Sequence, residues 1–432
     1  MTACDRLPLV ATEPAVQRQR RVPAVLLLLA AIGCDQSSTL SRDARTPESR
    51  PSSTMEWRER ILPATPGCLD CTLELQGMLT IRPDASGQFF PRLPWTLADS
   101  RGRFVLAAHG GNAVLVFDSS GRFQQAVGRV GRGPGELLSV GPMTLSAGDS
   151  LFVAADQRRI NVYAPSGAFA RQTILQFTNA SCLSSTGNVF APLSDGRLAI
   201  GSSVLSRDQL EHPIALADAD GQRATSFGVA NTSTIGSLSC RAIVADPAAG
   251  VLWALEPFGY RLEELQRSPE GRFRTVRQLG VRAPWFREGE DPFMTPEQLV
   301  ESLASAKVQV QQATPRTRPT HLTRPPSSSL RNVLRDAEGR LWLAWRIAAP
   351  RWDTVTLRYP LADELSLSDE LDDLLWHTVL DVVDTRSEAL LVRDTFPFHG
   401  QLAAPGVLAH PRYSPSGGIE VDVYRFRLAS HH

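Results

Sequence analysis

The sequence of 432 residues has no excess of either charge: 45 Lys and Arg stand against 45 Asp and Glu. A nucleic-acid-binding surface works by releasing counterions through surplus Lys and Arg, so nucleic acid is not an expected partner. Long apolar runs are scarce too. The longest, Val22 to Gly33 (VPAVLLLLAAIG), is too short to span a bilayer comfortably. Histidine is sparse, and no His-x-x-x-His or Glu-x-x-His spacing offers a local metal site. There is no Gly-x-Ser-x-Gly elbow and no Cys/His pair in a recognisable context. The glycine-rich Gly131-Arg-Gly-Pro-Gly-Glu136 runs on into Leu137-Leu-Ser-Val instead of Lys-Ser/Thr and a helix, which excludes a P-loop and leaves a turn between strands. Any catalytic or binding site must therefore be assembled from distant segments. With 42% hydrophobic residues the chain can bury a large core.

The apolar run follows Arg18, Arg20 and Arg21, the order of a secretory signal. Its end, Ala31-Ile32-Gly33-Cys34, resembles a bacterial lipobox, in which small residues precede a cysteine that becomes lipidated. On that resemblance residues 1–33 are a lipoprotein-type signal peptide and Cys34 is the lipidation site. The expected location is the periplasm or cell envelope, with the membrane reached through the lipid. Residues 34–55 are rich in Ser, Thr, Arg, Pro and Asp and too poor in large apolar residues to order themselves, which makes them a flexible tether. The folded domain is expected at 56–432.

Four cysteines fall in that domain: Cys68, Cys71, Cys182 and Cys240. An even count in an oxidising compartment suggests two disulfides, and sequence alone permits three pairings. The preferred reading pairs Cys182 with Cys240 and makes Cys68-Leu-Asp-Cys71 a local bridge, because that motif precedes a strand and not a helix.

An internal repeat is the strongest signal. A polar turn precedes a short apolar run at Asp99-Ser-Arg-Gly-Arg-Phe104, Ala147-Gly-Asp-Ser-Leu-Phe152, Asp195-Gly-Arg-Leu198, Ala248-Ala-Gly-Val-Leu252, Asp336-Ala-Glu-Gly-Arg-Leu341 and Thr385-Arg-Ser-Glu-Ala-Leu390. The six anchors lie 48, 46, 54, 89 and 49 residues apart. Allowing for one insertion, that is the period of a four-stranded blade. Second runs such as Val114-Leu-Val-Phe-Asp-Ser-Ser-Gly121 and Ile160-Asn-Val-Tyr-Ala-Pro-Ser-Gly167 carry hairpin signals, with Gly supplying the positive φ. The expected fold is all-β, a six-bladed β-propeller. The strand-like runs Thr72 to Ile81 and Ile419 to Leu428 are expected to pair in the sixth blade and latch the ring.

The stretch Val127-Gly-Arg-Val-Gly-Arg-Gly-Pro-Gly-Glu-Leu137, followed by Leu151-Phe-Val-Ala-Ala-Asp156 and Arg159-Ile-Asn-Val-Tyr163, resembles an NHL repeat. Together with the lipobox, the chain resembles bacterial six-bladed propeller lipoproteins. In this reading Asp156 and Arg159 form a pair internal to the repeat.

Residues about 281–330 break the rhythm between the fourth and fifth anchors. Thr295-Pro-Glu-Gln298 is a capping box, and Leu299, Val300, Leu303, Ala306 and Val310 follow at helical spacing, which predicts an amphipathic helix to about Gln312. A seventh blade in this interval is the competing count. Polar groups opening inner strands tend to face a propeller's channel, which nominates Arg241, Arg331 and Asn332 as ligand-binding candidates. The functional expectation is a monomeric binding or scaffolding module for an envelope protein, peptide or glycan, with no cofactor. The alternative is a metal-dependent hydrolase or lyase with a Ca2+ site in the channel.

Overall fold

The computed structural model describes residues 58–83, 94–108, 111–156, 158–177, 188–201, 213–229, 240–246, 250–256, 259–286, 328–352, 372–414 and 418–430. The signal segment, Cys34, the tether, Cys182 and the helix expected at 295–312 lie outside them. A compact unit runs from Glu56 to His432.

Two strands, β1 (Arg58–Leu62) and β2 (Cys71–Ile81), precede the blades. Blade 1 is β3 (Pro94–Ala98), β4 (Phe104–Ala108), β5 (Val114–Phe117) and β6 (Phe123–Val127). A two-residue parallel ladder, β7 (Arg129–Val130) with β8 (Glu136–Leu137), leads to blade 2: β9 (Met143–Leu145), β10 (Leu151–Ala154), β11 (Arg159–Tyr163) and β12 (Phe169–Ile174). Blade 3 is β13 (Phe190–Pro192), β14 (Leu198–Gly201), β15 (Ile214–Ala217) and β16 (Arg223–Phe227). Blade 4 is β17 (Ala242–Asp246), β18 (Val251–Leu255), β19 (Arg261–Arg267) and β20 (Phe273–Val281), and β1 joins its edge as a fifth, parallel strand. Blade 5 is β21 (Ser329–Arg335), β22 (Arg340–Ala348), β23 (Trp376–Asp384) and β24 (Ala389–Phe396), with a short helix α1 (Asp372–Leu375) just before β23. In blade 6, β25 (Gln401–Ala404), β26 (Val407–Tyr413) and β27 (Ile419–Ser430) are completed by β2, antiparallel to β27 from Cys71↔Ser430 to Ile81↔Val421. The expected latch between the chain's two ends is therefore present.

Side-chain alternation explains why six blades close. In β10, Leu151 and Val153 join the core shared with blade 1, while Phe152 and Ala154 join the core shared with blade 3. The same split recurs in β4, β14, β18 and β22: Leu341, Leu343 and Trp345 pack towards blade 4, Trp342 and Ala344 towards blade 6. Both faces of each such strand are buried, so its sequence reads as a continuous apolar run. Six hydrophobic clusters map one to one onto six junctions, and the last joins Ala409, Val421 and Val423 of blade 6 to Phe104, Leu106 and Phe117 of blade 1. Burying each large apolar side chain contributes about 1.5–3 kcal/mol, a gain that an isolated blade forgoes.

The sixth sequence anchor needs correction. Leu390 lies on β24, the outer strand of blade 5, and the second strand of blade 6 is β26, entered at Gly406. The turn 384–388 that precedes Leu390 joins β23 to β24. Short polar turns are chemically alike whichever strand pair they join, so the period alone did not separate them.

In a four-stranded meander the first-to-second and third-to-fourth turns share one face, and the remaining connections share the other. The first, a turn face, is built from tight turns in which an Asp accepts from the backbone: Asp99 Oδ1 takes the amides of Arg101 and Arg103 at 3.0 and 2.8 Å, and Asp118 repeats the pattern. Every long connection of the ring, including 178–187, 202–212, 230–239, 287–327 and 353–371, joins strand ends on the opposite, loop face.

Blades meet closely at these turns. Gly221 has φ +79°, and a Cβ there would lie 2.1 Å from the Ile174 carbonyl oxygen of blade 2. Gly196, at φ +83°, has nothing within 4 Å. Both Gly196→Ala and Gly221→Ala should lose about 1–3 kcal/mol to left-handed backbone strain. Only Gly221→Ala should lose more through the blade contact, and equal losses in urea unfolding would contradict this account of the junction.

Candidate functional site

The inner strands begin at the loop face, and their first residues frame the channel mouth. Trp95 enters from β3 and Arg331 from β21, with the guanidinium carbon 5.9 Å from the Trp95 ring centroid. Blade 6 stands between blades 5 and 1, so this contact bridges across the opening of β25. Trp95 Nε1, Thr96 Oγ1 and, at the entry to β13, Asn188 Oδ1 are buried without a hydrogen-bond partner. Such atoms usually meet water or a ligand, since leaving them unsatisfied costs about 1–3 kcal/mol each.

The other two predicted candidates are engaged within the protein. Arg241 is 2% exposed and ion-paired with Glu256 at 3.0 Å and with Glu263, and it donates to the Val229 carbonyl at 2.8 Å. Glu263 also accepts the Val229 amide at 2.8 Å and the Thr275 hydroxyl. This network fastens the exit of blade 3 to blade 4. Asn332, fully buried, donates to the Leu402 carbonyl at 2.5 Å and accepts the Leu402 amide at 3.0 Å, stitching β21 to β25. Gln401 does the same from β25 to the Pro94 carbonyl at 3.0 Å. Of the three, Arg331 is the one that the structure sets beside a channel-mouth aromatic.

A polar cluster between blades 5 and 6 lies on the same face. Asp373 of α1 accepts from His410 Nε2 at 2.7 Å and from the His399 amide at 2.8 Å. Partial burial opposes ionisation of Asp373, but these hydrogen bonds and the two nearby imidazoles hold its carboxyl below the ordinary value. Burial lowers His377, with Asp373 opposing. The pair has the orienting geometry of an acid–base dyad, yet His410 Nδ1 is buried without a partner and the ring stacks on Phe398 at 4.3 Å. A general base needs a nitrogen within reach of substrate, so the pair positions α1 against blade 6. Sequence reasoning missed it because the partners are 37 residues apart on different blades, and the second strand of blade 6 had been placed elsewhere.

The glycine-rich loop is confirmed as a turn filled by its own carboxylate. Glu136 Oε2 accepts the Gly133 amide at 2.7 Å and Oε1 accepts from Arg129 at 2.8 Å, so the backbone donors an anion would need are taken. Asp156 pairs with Arg159 at 2.5 Å, and Asp99 with Arg103 and Asp336 with Arg340 show the same motif. Cys68 and Cys71 are bridged. Cys240 is also disulfide-bonded, and its expected partner, Cys182, lies outside the described residues. No group of three His, Cys, Asp or Glu side chains converges as a metal site among the described residues, nor is any helix there long and apolar enough to cross a membrane.

No curated protein matches the sequence. A family model described as a 6-bladed beta-propeller (DUF5128) matches residues 97–229. Among solved structures, the chain is similar to a protein from Bacteroides fragilis described as exported, at 11% identity and a TM-score of 0.50, covering 86% of this chain and 100% of that one. It is also similar to a member of the duf4221 family from Bacteroides vulgatus, at 10% identity and a TM-score of 0.55, covering 84% and 99%. At these identities the likeness establishes the fold: the chain is a six-bladed β-propeller.

Proposed function

We propose that this chain is an exported propeller, lipid-anchored through Cys34, that serves as a binding or scaffolding module for a protein, peptide or glycan at the cell envelope. The observation that carries the reading is the channel mouth, where Trp95 and Arg331 meet beside buried, unsatisfied polar atoms on Trp95, Thr96 and Asn188. An aromatic face, a guanidinium and buried hydrogen-bonding atoms form a recognition surface for a polar ligand. The asymmetry of the ring supports it: the long connections gather on the loop face. The first described residue, Arg58, lies instead on the outer edge of blade 4, opposite Arg277 midway along β20. Export is supported by the signal-like run before Cys34 and agrees with the description of the Bacteroides fragilis protein.

The test is capture from envelope extract by immobilised residues 56–432. One component should be retained by the wild type and by the turn-face variant Arg122→Glu, and lost with Trp95→Ala and Arg331→Glu. Retention by all four proteins would reject the channel mouth as the site. Stoichiometric Ca2+ or Zn2+ in the purified domain by elemental analysis would favour the metal-dependent hydrolase or lyase instead.

A further inference from the structure

The belt formed by residues 58–81 is not part of the repeat. β1 runs along the outer edge of blade 4, and the following residues then descend the edge of blade 5, where the Gly67 amide donates to the Leu390 carbonyl at 2.8 Å and Arg393 donates to the Ala64 carbonyl at 2.8 Å. β2 rises along blade 6. Within this belt β1 is lightly attached: of its five residues only Leu62 is buried, and Ile61 is 55% exposed.

The edge beneath β1 is, by contrast, well formed. Strand alternation turns Arg58, Arg60 and Leu62 to the same side. Leu62 is fully buried in the cluster that contains Trp253, Tyr260, Leu279 and Val281, and its carbonyl accepts the Arg282 amide at 3.2 Å. Arg58, at 3.3 Å, and Arg60 both pair with Glu388. Glu388 does not depend on them for its position, because Arg277 pairs with it at 2.9 Å while also donating to Glu264 at 2.6 Å. Without β1, two carboxylates would face one guanidinium at this socket. The edge would then present a main-chain ladder, an acidic socket and an apolar socket two residues further on. Those are the elements of peptide recognition by strand addition, in which the ladder gives affinity and alternate side chains give specificity.

We propose that the outer edge of blade 4 is a docking edge for an extended peptide of the pattern Arg-x-Arg-x-Leu, and that Arg58–Leu62 is its occupant in cis. A partner segment of that chemistry displaces β1 and pairs with β20 in parallel. This edge is on the rim, away from the channel mouth, so the two sites succeed or fail independently.

The experiment uses the full chain and a fluorescein-labelled peptide spanning residues 57–64. The variant Arg60→Glu/Leu62→Asp frees the edge. It should bind the peptide saturably, and at least about tenfold more tightly than the wild type does, since a tethered strand competes at an effective concentration near millimolar. Adding Glu388→Lys to the freed chain should weaken binding at least about tenfold, and a scrambled peptide should not bind. Equal binding to wild type and freed variant, or no binding to a freed variant that melts cooperatively, would overturn the proposal. Should that variant fail to fold, hydrogen exchange of the wild type decides. Excess peptide should accelerate exchange of the Glu59–Leu62 amides, and exchange as slow as that of β2 and unmoved by peptide would overturn it.

Discussion

Replacing Arg393 by alanine is expected to cost about 3–5 kcal/mol of folding stability at neutral pH, because it leaves a buried carboxylate without its counter-charge. Asp381, fully buried in β23, accepts from Arg393 Nε and Nη2 at 2.8 Å each and from the Tyr260 hydroxyl. Around it, Tyr260, Trp285, Phe286 and Trp345 pack edge and face, with Tyr260 and Trp345 centroids 4.2 Å apart. Burial raises Asp381 above the ordinary carboxylate value even with Arg393 opposing.

The sign of the pH dependence follows. A raised value in the folded state means that the folded protein holds this proton after the unfolded chain has lost it. Asp381's contribution to stability is therefore intact below the ordinary carboxylate value of about 3.9 and declines as pH rises through the folded value. Arg393→Ala removes the opposing charge, so the folded value climbs and the window extends upward. The stability lost, measured by denaturant unfolding, should be larger at pH 7 than at pH 4. A loss independent of pH would mean that Asp381 is not the group left unpaired.

Arg241→Ala is expected to have a comparable effect, about 3–5 kcal/mol, by abandoning Glu256 and Glu263 in a site where all three side chains are 3% exposed. The result bears on function as well. If Arg241 fastens blade 3 to blade 4, the variant should unfold earlier, and the fraction that remains folded should retain a channel-mouth ligand. A stable variant that loses the ligand would return Arg241 to the binding residues.

These two networks show what the sequence disclosed and what it did not. The second strand of a blade is buried on both faces, so Phe104-Val-Leu-Ala and Leu341-Trp-Leu-Ala stand out as continuous apolar runs after a glycine turn. That signal is local, and it gave the blade type and five of the six positions. The closing pair β2 and β27 was legible because two long strand-like runs stood at opposite ends of the domain. Blade 6 was misplaced because the connection from β22 to β23 is long, and because its second strand, Val407-Leu-Ala-His410, is interrupted by a polar residue that pairs with Asp373. The strand β1 escaped altogether: four of its five residues are exposed, and its partner lies in a distant blade.

The candidate site was less legible than the fold for the same reason. Arg241 and Asn332 do open inner strands, but position alone does not tell a ligand-facing group from one that satisfies a neighbouring blade. Glu263 and the Leu402 backbone, which pair with these two side chains, come from other strands. Trp95 carries no local signal that sets it apart from other strand residues. Only the ring, by bringing Arg331 across from blade 5, makes it part of a mouth.

The central claim, that the loop face is the binding face, is tested most directly by hydrogen-exchange footprinting of the propeller with and without the component captured from the envelope. Binding should slow exchange at the inner-strand openings around Trp95, Asn188 and Arg331, and leave the turns at 118–122, 164–168 and 268–272 unchanged. Protection of those turns, with the channel mouth unaffected, would contradict the account.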